Sequence, residues 1–166
     1  MFKSKRIISI ITARKGSTRI KNKNLKLFCN KPLVYWSMLV SKKSKFVDKT
    51  FVSSDDPKIL KLAKEMKCET VLRGKRLSNN TIHADFAVID VLKRFGNPYD
   101  IIVFLQPTSP LRLVDDIDNA IKKFINTKCD SLLSVIKFDD FKFIWKKEKN
   151  SKFFSPVNYS LKKRPM

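Results

Sequence analysis

The sequence predicts an α/β fold with a Rossmann-like, mostly parallel β-sheet and helices on both of its faces. Short apolar segments alternate along the chain with longer segments in which apolar residues recur every three or four positions. Several short segments are apolar at consecutive positions, as expected of strands buried on both faces of a parallel sheet. Such alternation implies helical crossovers between parallel strands.

The first predicted strand and helix follow from two simple patterns. Ile7–Thr12 is a continuous apolar run, which predicts a buried strand. A helix is predicted over Leu33–Ser44, because Pro32 suits the start of a helix and apolar residues recur on one face of the segment.

The next predicted unit is strand, helix, strand. Thr50–Ser53 is predicted to be a short strand, and either Asp55 or Asp56 is predicted to cap a helix that begins at Pro57. Glu69–Leu72 is predicted to be the third strand.

The second half continues the alternation. A helix is predicted over Ile82–Phe95, with four apolar side chains facing inward: Phe86, Ile89, Leu92 and Phe95. Ile101–Leu105 is the most uniformly apolar segment and is predicted to be a fully buried strand. A helix over Val114–Asn126 and a fifth strand over Ser131–Ile136 follow, and the pattern weakens beyond Lys137.

Length and apolar content favour a single soluble domain over residues 1–166. No apolar run approaches the roughly 18 residues that span a bilayer, and the run that ends before Arg14 is too short for a signal peptide. A cytoplasmic protein with no membrane partner is therefore predicted. The odd number of cysteines and the lack of a C-x-x-C pair argue against a disulfide framework or a zinc site.

The formal net charge of +21 is extreme, and it is concentrated near the start of the chain. No acidic residue occurs before Asp48, although 13 Lys and Arg residues do. Such a charge suits nucleic acid, a membrane surface or phosphorylated substrates. A lysine-rich composition with lysines on solvent-facing helices would give a similar total without any anionic partner.

Polar clusters follow three of the predicted strands: Ala13–Asn24, Ser53–Asp55 and Gln106–Arg112. The carboxyl ends of parallel strands meet at one edge of the sheet, where ligands of such folds bind. The three clusters are therefore predicted to converge on one site.

The first cluster predicts an anion-binding loop that works through side chains. It lacks the glycine spacing that lets backbone amides alone surround a phosphate. Arg14 offers a planar fork for phosphate oxygens, Lys23 offers a point charge, and Ser17 and Asn24 offer neutral donors. Several cations suit a triphosphate; the alternative is a solvated basic turn.

The cluster "QPTSPLR" combines two prolines with neutral donors and one cation: Gln106, Thr108, Ser109 and Arg112. These groups suit a polyhydroxylated substrate that bears a carboxylate; the alternative is a rigid strand-to-helix connection. Asp55 could bind a metal or a hydroxyl group, or cap the following helix.

The segments "TARKGSTRIKNKNL", "KPLVYWSM", "VSSDD", "VLRG" and "LQPTSPLR" together resemble the acylneuraminate cytidylyltransferases. These are the CMP-sialic acid synthetases and their bacterial legionaminate and pseudaminate relatives. The resemblance implies a fold of the nucleotide-diphospho-sugar transferase type. It also implies the reaction of CTP with an acidic nine-carbon sugar to give a CMP-sugar and pyrophosphate.

The resemblance also implies roles for individual residues. Arg14 and Lys23 would be catalytic, and the nucleotide would be bound by Arg14, Ser17, Arg19, Lys23, Asn24, Asp55 and Arg73. The sugar would be bound by Gln106, Thr108, Ser109, Arg112 and Arg164. The family implies Mg²⁺, but its ligands cannot be identified in this chain, and it implies a homodimer.

This sequence departs from the family pattern at several places. Thr18 stands where the family usually has lysine, with Arg19 beside it as a substitute charge, and Gly74 replaces a proline. The family's late metal-binding carboxylates would lie beyond Met166, so the chain is predicted to lack the C-terminal part, with residues 137–166 covering the substrate or contacting a partner subunit. Two alternatives remain: a catalytically degenerate nucleotide-binding fragment of the family, and a basic RNA-binding module. The RNA-binding module is the less favoured of the two, and nucleic acid is the less favoured partner.

Overall fold

The computed structural model describes residues 2, 4–17, 20–79, 82–96 and 98–135, and the backbone of 145–147 and 154–156. The chain forms two compact units, Met1–Ser131 and Leu132–Met166. In the described part of the chain, no helix is long and apolar enough to cross a membrane.

The larger unit contains strands and helices in alternation. Its strands are β1 (Ile7–Thr12), β2 (Leu27–Phe28), β3 (Lys31–Pro32), β4 (Lys49–Ser54), β5 (Glu69–Leu72) and β6 (Ile101–Leu105). Its helices are α1 (Leu33–Lys43), α2 (Pro57–Glu65), α3 (Ala84–Arg94) and α4 (Val114–Thr127), with short 3₁₀ turns at Lys23–Leu25 and Lys75–Ser78. These bounds confirm the predicted elements from the first strand to the fourth helix, within two residues at each end.

Four parallel strands form the main sheet in the order β5-β4-β1-β6. The chain moves outward from β1 through β4 to β5 and then returns to the other side of β1 to form β6. The strand order therefore reverses at β1. In open α/β sheets, this reversal opens a crevice at the carboxyl ends of the strands.

The central strand β1 is buried on both faces. Ile7 and Ile11 pack into one core cluster with residues of α1, α2 and α4. Ile8 and Ile10 pack into a second cluster with Val91 of α3. Because successive side chains of a strand point to opposite faces, the helices must lie on both sides of the sheet. The predicted fold class is confirmed.

A chain of buried hydroxyl groups joins α1 to the sheet. The Ser41 hydroxyl forms hydrogen bonds with the hydroxyls of Ser9 on β1 and Thr50 on β4, the latter at 2.7 Å. All three residues are buried. Mutual hydrogen bonding offsets the desolvation cost of burying these polar groups. It also fixes the position of α1 on β1 and β4.

The predicted inward face of α3 is partly wrong. Phe86 and Ile89 are exposed, whereas Ala87 and Val91 are the buried residues of the helix. Leu92 packs against the core as predicted, and the Phe95 ring lies 4.7 Å from the Phe51 ring although Phe95 itself is exposed. Alanine at the contact lets α3 approach the sheet closely, so the larger side chains on the adjacent stripe remain outside.

Two strand predictions also need correction. Ile101–Leu105 forms β6 as predicted, but Ile102 is exposed, because β6 lies at the edge of the four-stranded sheet. Residues 131–135 of the predicted fifth strand are exposed and form no strand, and Ile136 lies outside the described residues. The apolar sequence indicates a tendency to be buried, but a strand also needs a neighbour in register.

Within the smaller unit, the described backbone forms an antiparallel pair between β7 (Trp145–Lys147) and β8 (Phe154–Pro156). The prediction that residues 137–166 cover the substrate or contact a partner concerns residues that lie mainly outside the described ones. It stays a prediction.

The three cysteines differ in exposure, which predicts unequal reactivity. Burial raises the pKa of the Cys68 thiol from 9.0 to about 11, although Lys42 acts in the opposite direction. Cys29 is exposed in the turn between β2 and β3. At pH 8, we expect a thiol reagent to modify Cys29 rapidly and Cys68 only on unfolding, because the thiolate is the nucleophile.

Mass spectrometry of peptides after timed labelling measures this difference. The pKa of Cys68 is higher in the folded state than in the unfolded chain. Its contribution to the free energy of unfolding is therefore fully present below about pH 9 and is lost as the pH rises toward 11. Equal labelling rates of Cys29 and Cys68 in the native protein would contradict the prediction.

Candidate active site

The three polar clusters begin side by side at the carboxyl edge of the sheet. Thr12 at the end of β1 pairs with Ser53 of β4. On the other side of β1, Ile11 pairs with Leu105 at the end of β6. The segments that follow β1, β4 and β6 therefore leave the sheet at one edge, as predicted.

The Arg14–Lys15 peptide group is held from two directions. The side-chain amide of Asn24 donates a 2.9 Å hydrogen bond to the carbonyl oxygen of Arg14. The backbone N–H of Lys15 donates a 2.7 Å hydrogen bond to Oδ1 of Asp55. Asn24 is buried, and it lies in the 3₁₀ turn that ends the basic loop. The start of the loop is thus tied both to its own end and to the end of β4.

Asp55 and Asp56 have different roles, a question that the sequence left open. Asp56 is the N-cap of α2, and its carboxylate accepts a 2.9 Å hydrogen bond from the backbone N–H of Lys58. Asp56 is buried, whereas Asp55 is half-buried and faces the basic loop. Since capping is done by Asp56, the Asp55 carboxylate can instead hold the basic loop through the N–H of Lys15.

Arg73 is a buried cation just after β5. Its Nη2 donates to the carbonyl oxygen of Ser53 at 2.9 Å, and its Nε lies 3.3 Å from the Ser53 hydroxyl. The same carbonyl accepts a hydrogen bond from the backbone N–H of Ala13 at 2.9 Å. Burial lowers the pKa of the Arg73 guanidinium, Asp55 raises it, and Arg14 lowers it. Arg73, Asp55 and Arg14 therefore form one electrostatic group at the carboxyl edge.

Arg112 carries a buried polar atom, Nη1 of its guanidinium, that lacks a hydrogen-bond partner among the described residues. Burial lowers the pKa of this guanidinium, and nearby Asp116 opposes that effect. A buried guanidinium nitrogen without a partner carries a desolvation cost, and an anionic ligand would remove that cost.

The rest of the "QPTSPLR" loop presents its polar residues to solvent. Gln106, Thr108 and Ser109 are exposed. The loop is fixed through its backbone: the carbonyl oxygen of Gln106 accepts hydrogen bonds from the Ser37 hydroxyl and from the N–H of Ser109, each at 3.3 Å. In the described structure, these side chains are therefore exposed while the backbone of the loop is held to α1.

Two predicted residues, Arg19 and Arg164, lie outside the described ones. Ser17 and Lys23 are half-buried in the basic loop. Ser53 belongs to the second predicted polar cluster, but the sequence predicts no separate role for it; its carbonyl joins Ala13 and Arg73. Its position as the penultimate residue of a strand that ends in this site is the signal that could have found it.

The described residues do not build a metal site of their own. They contain no group of three or more His, Cys, Asp or Glu side chains that could hold a metal ion. Among the described residues, the carboxylate of Asp55 lies beside the basic loop, and its Oδ1 accepts a hydrogen bond from Lys15. Mg²⁺ is commonly held by one or two carboxylates together with substrate phosphates, so the cofactor that the resemblance implies stays a prediction.

Taken together, the reversed parallel sheet and the cationic side chains at its carboxyl edge define a Rossmann-like α/β protein of the class that binds ligands at this edge. The sequence profile of the family described as cytidylyltransferase matches residues 8–164. The chain belongs to this family of nucleotidyltransferases.

Curated relatives agree with this assignment. The chain is 32% identical over 121 residues to the CMP-N,N'-diacetyllegionaminic acid synthase of Legionella pneumophila, covering 70% of this chain and 52% of the relative. It is 32% identical over 136 residues to a pseudaminic acid cytidylyltransferase of Campylobacter jejuni, covering 80% and 59%. An N-acylneuraminate cytidylyltransferase of Oncorhynchus mykiss is 28% identical over 159 residues, covering 96% and 37%. The chain thus spans about half the length, or less, of these relatives.

Solved structures support the fold. A CMP:2-keto-3-deoxy-manno-octonic acid synthetase complexed with CTP superposes with a TM-score of 0.64 at 19% identity, covering 74% of this chain and 48% of that one. A 4-diphosphocytidyl-2C-methyl-D-erythritol synthase superposes with a TM-score of 0.59 at 13% identity, covering 74% and 56%. At such identities the likeness shows the shared fold alone.

Proposed function

We propose that the protein is a cytidylyltransferase that activates a nonulosonic acid with CTP, giving the CMP-sugar and pyrophosphate. The observation that carries this proposal is the basic loop after β1, with Arg14 held in place at the point where the strand order reverses. The activities named for the relatives point to the same sugar class: legionaminic, pseudaminic and acylneuraminic acids.

In the proposed reaction, the anomeric hydroxyl of the sugar attacks the α-phosphorus of CTP. The new bond joins the sugar oxygen to that phosphorus, the bond to the bridging oxygen of the β-phosphate breaks, and pyrophosphate leaves. The hydroxyl proton is released to solvent. Negative charge develops on the transferred and leaving oxygens, and fixed cations stabilise it. Arg14 and Lys23 are the cations assigned to this role, with Ser17 and Arg19 as further phosphate contacts.

The sugar is assigned to the loop after β6. Its carboxylate would accept hydrogen bonds from Arg112, whose buried Nη1 has no partner in the described part of the chain. Gln106, Thr108 and Ser109 would contact its hydroxyl and amide groups, and Arg164 is a further proposed contact. The loops after β1 and β6 lie on either side of the point where the strand order reverses. They would thus bring CTP and the sugar together.

The cofactor, assembly and location are proposals that rest on the family resemblance. Mg²⁺ bound with the nucleotide would neutralise part of the phosphate charge. No step is assigned to a metal site of this chain, since the described residues do not build one. We also propose that the protein is a homodimer and that it is located in the cytoplasm.

Calorimetric titration of the purified chain with CTP, ATP, GTP, UTP and a short RNA tests the nucleotide assignment. We expect CTP to bind in the presence of Mg²⁺ with at least about tenfold preference, because base recognition depends on hydrogen bonds that a wrong base leaves unpaired. Equal affinity for all nucleotides, together with RNA binding that weakens steeply between two salt concentrations, would instead indicate a basic RNA-binding protein. Turnover with a panel of nonulosonic acids then tests the sugar class.

A further inference from the structure

We propose that Asn24 and Asp55 form a clamp on the Arg14–Lys15 peptide group, so that both act as positioning residues for Arg14. This inference rests on the proposed CTP site and deepens it. It gives Asn24 and Asp55 a role different from the direct nucleotide contact that the family resemblance implies.

The two hydrogen bonds act on a single rigid group. The carbonyl oxygen of Arg14 and the N–H of Lys15 belong to the same planar peptide unit and point in opposite directions. Asn24 holds the oxygen at 2.9 Å and Asp55 holds the nitrogen at 2.7 Å. Holding both ends fixes the plane of the peptide. It thereby fixes the position of the Arg14 Cα atom, from which the side chain leaves the backbone.

The basic loop needs such a device because its sequence does not impose a conformation. Gly16 does not enforce one, since a Cβ atom added there would meet nothing within 4 Å. Cations at Arg14, Lys15, Lys21 and Lys23 repel one another, and the loop contains no acid of its own. Without external bonds the segment would sample many conformations, and binding CTP would have to order it.

Both halves of the clamp are anchored to rigid structure. Asp55 directly follows β4, and the next residue, Asp56, caps α2. The end of β4 is further fixed by Arg73, which donates to the Ser53 carbonyl. Asn24 is buried within a 3₁₀ turn. A functional side chain is best oriented by groups that are themselves locked in place, and the clamp meets this condition.

Substitutions at Asp55 separate a positioning role from an ionic one. Asp55→Asn retains an oxygen that can accept from Lys15, whereas Asp55→Ala removes it. We expect Asp55→Ala to weaken CTP binding by about tenfold or more and Asp55→Asn to stay within about threefold of the wild type. A direct charge or metal role would make the two variants equally weak.

Hydrogen exchange of the Lys15 amide in the absence of nucleotide reports the clamp itself. This amide should exchange slowly in the wild type and in Asp55→Asn, and at least about tenfold faster in Asp55→Ala. The measurement does not depend on catalysis or on the identity of the sugar.

A second pair of variants tests the hydrogen bond that Asn24 contributes to the clamp. Asn24→Asp keeps the shape of the side chain but replaces the donor with an oxygen that faces the Arg14 carbonyl. Asn30→Asp makes the same charge change outside the basic loop, at an exposed residue in the turn between β2 and β3. We expect Asn24→Asp to lose CTP affinity by about tenfold and Asn30→Asp to lose less than about threefold.

The outcomes are distinguishable from failure of the proposed function. If the wild type does not bind CTP but Asp55→Ala still accelerates exchange at Lys15 and Asp55→Asn does not, the nucleotide assignment fails while the geometry of the clamp stands. If the wild type binds CTP and Asp55→Ala or Asn24→Asp binds it equally well, the positioning role is wrong. Equal losses in Asp55→Asn and Asp55→Ala would also overturn it and indicate that the charge of Asp55 is what matters.

Discussion

Replacing Arg14 with alanine is expected to lower the affinity for CTP by about tenfold to a hundredfold, because a hydrogen bond to a charged group contributes about 1.5–3 kcal/mol. The guanidinium is the first cation after the central strand, and its backbone is held by two hydrogen bonds. Calorimetric titration with CTP and Mg²⁺ measures the loss. Arg14→Lys should give an intermediate affinity, since it keeps the charge but loses the planar fork.

Arg6→Ala is the matched control for this experiment. It removes the same charge from the amino end of β1, where Arg6 is exposed just before the strand begins. We expect CTP affinity to change little in this variant. If Arg14→Ala and Arg6→Ala weakened binding equally, the loss would reflect overall charge, and the assignment of the phosphates to the Arg14 loop would be wrong.

Replacing Phe51 with alanine is expected to lower the free energy of unfolding by about 3–5 kcal/mol, the usual cost of removing a buried aromatic ring. Phe51 is fully buried in the second core cluster. Its ring lies 4.7 Å from the Phe95 ring and 6.0 Å from the Tyr99 ring, so truncation leaves a cavity lined by aromatic groups. Urea unfolding followed by circular dichroism measures the effect.

Phe95→Ala provides the comparison, because it removes the same ring type from the other side of the same contact. Phe95 is 41% exposed, so much less apolar surface returns to water when it is truncated. We expect a loss of less than half that of Phe51→Ala. Equal losses would show that the second core cluster is not organised around Phe51.

Much of the fold could be predicted from the sequence because its elements have strong local patterns. The run Ile7–Thr12 predicts β1 with the bounds that the structure gives, and the same is true of β5 and β6. Pro57, preceded by an acidic pair, marks the start of α2 correctly. These features depend on local sequence: apolar runs, capping residues and proline.

Other features of the fold depend on tertiary contacts, that is, on which element packs against or pairs with a given segment. The sequence of α3 has apolar residues on more than one stripe, and only packing against the sheet selects Ala87 and Val91 over Phe86 and Ile89. Residues 131–135 are as apolar as a buried strand, yet they are exposed and unpaired in the described structure. Local pattern cannot supply a pairing partner.

The cationic loop after the first strand and the polar loops after two others can be read from the amino-acid sequence alone. Tertiary contacts establish that Asp56 caps α2 while Asp55 accepts from Lys15, and that Asn24 donates back to Arg14. The physical reason is geometric. Either aspartate has the chemistry to cap a helix or to accept a loop amide, and the direction in which each leaves the end of β4 assigns the two roles.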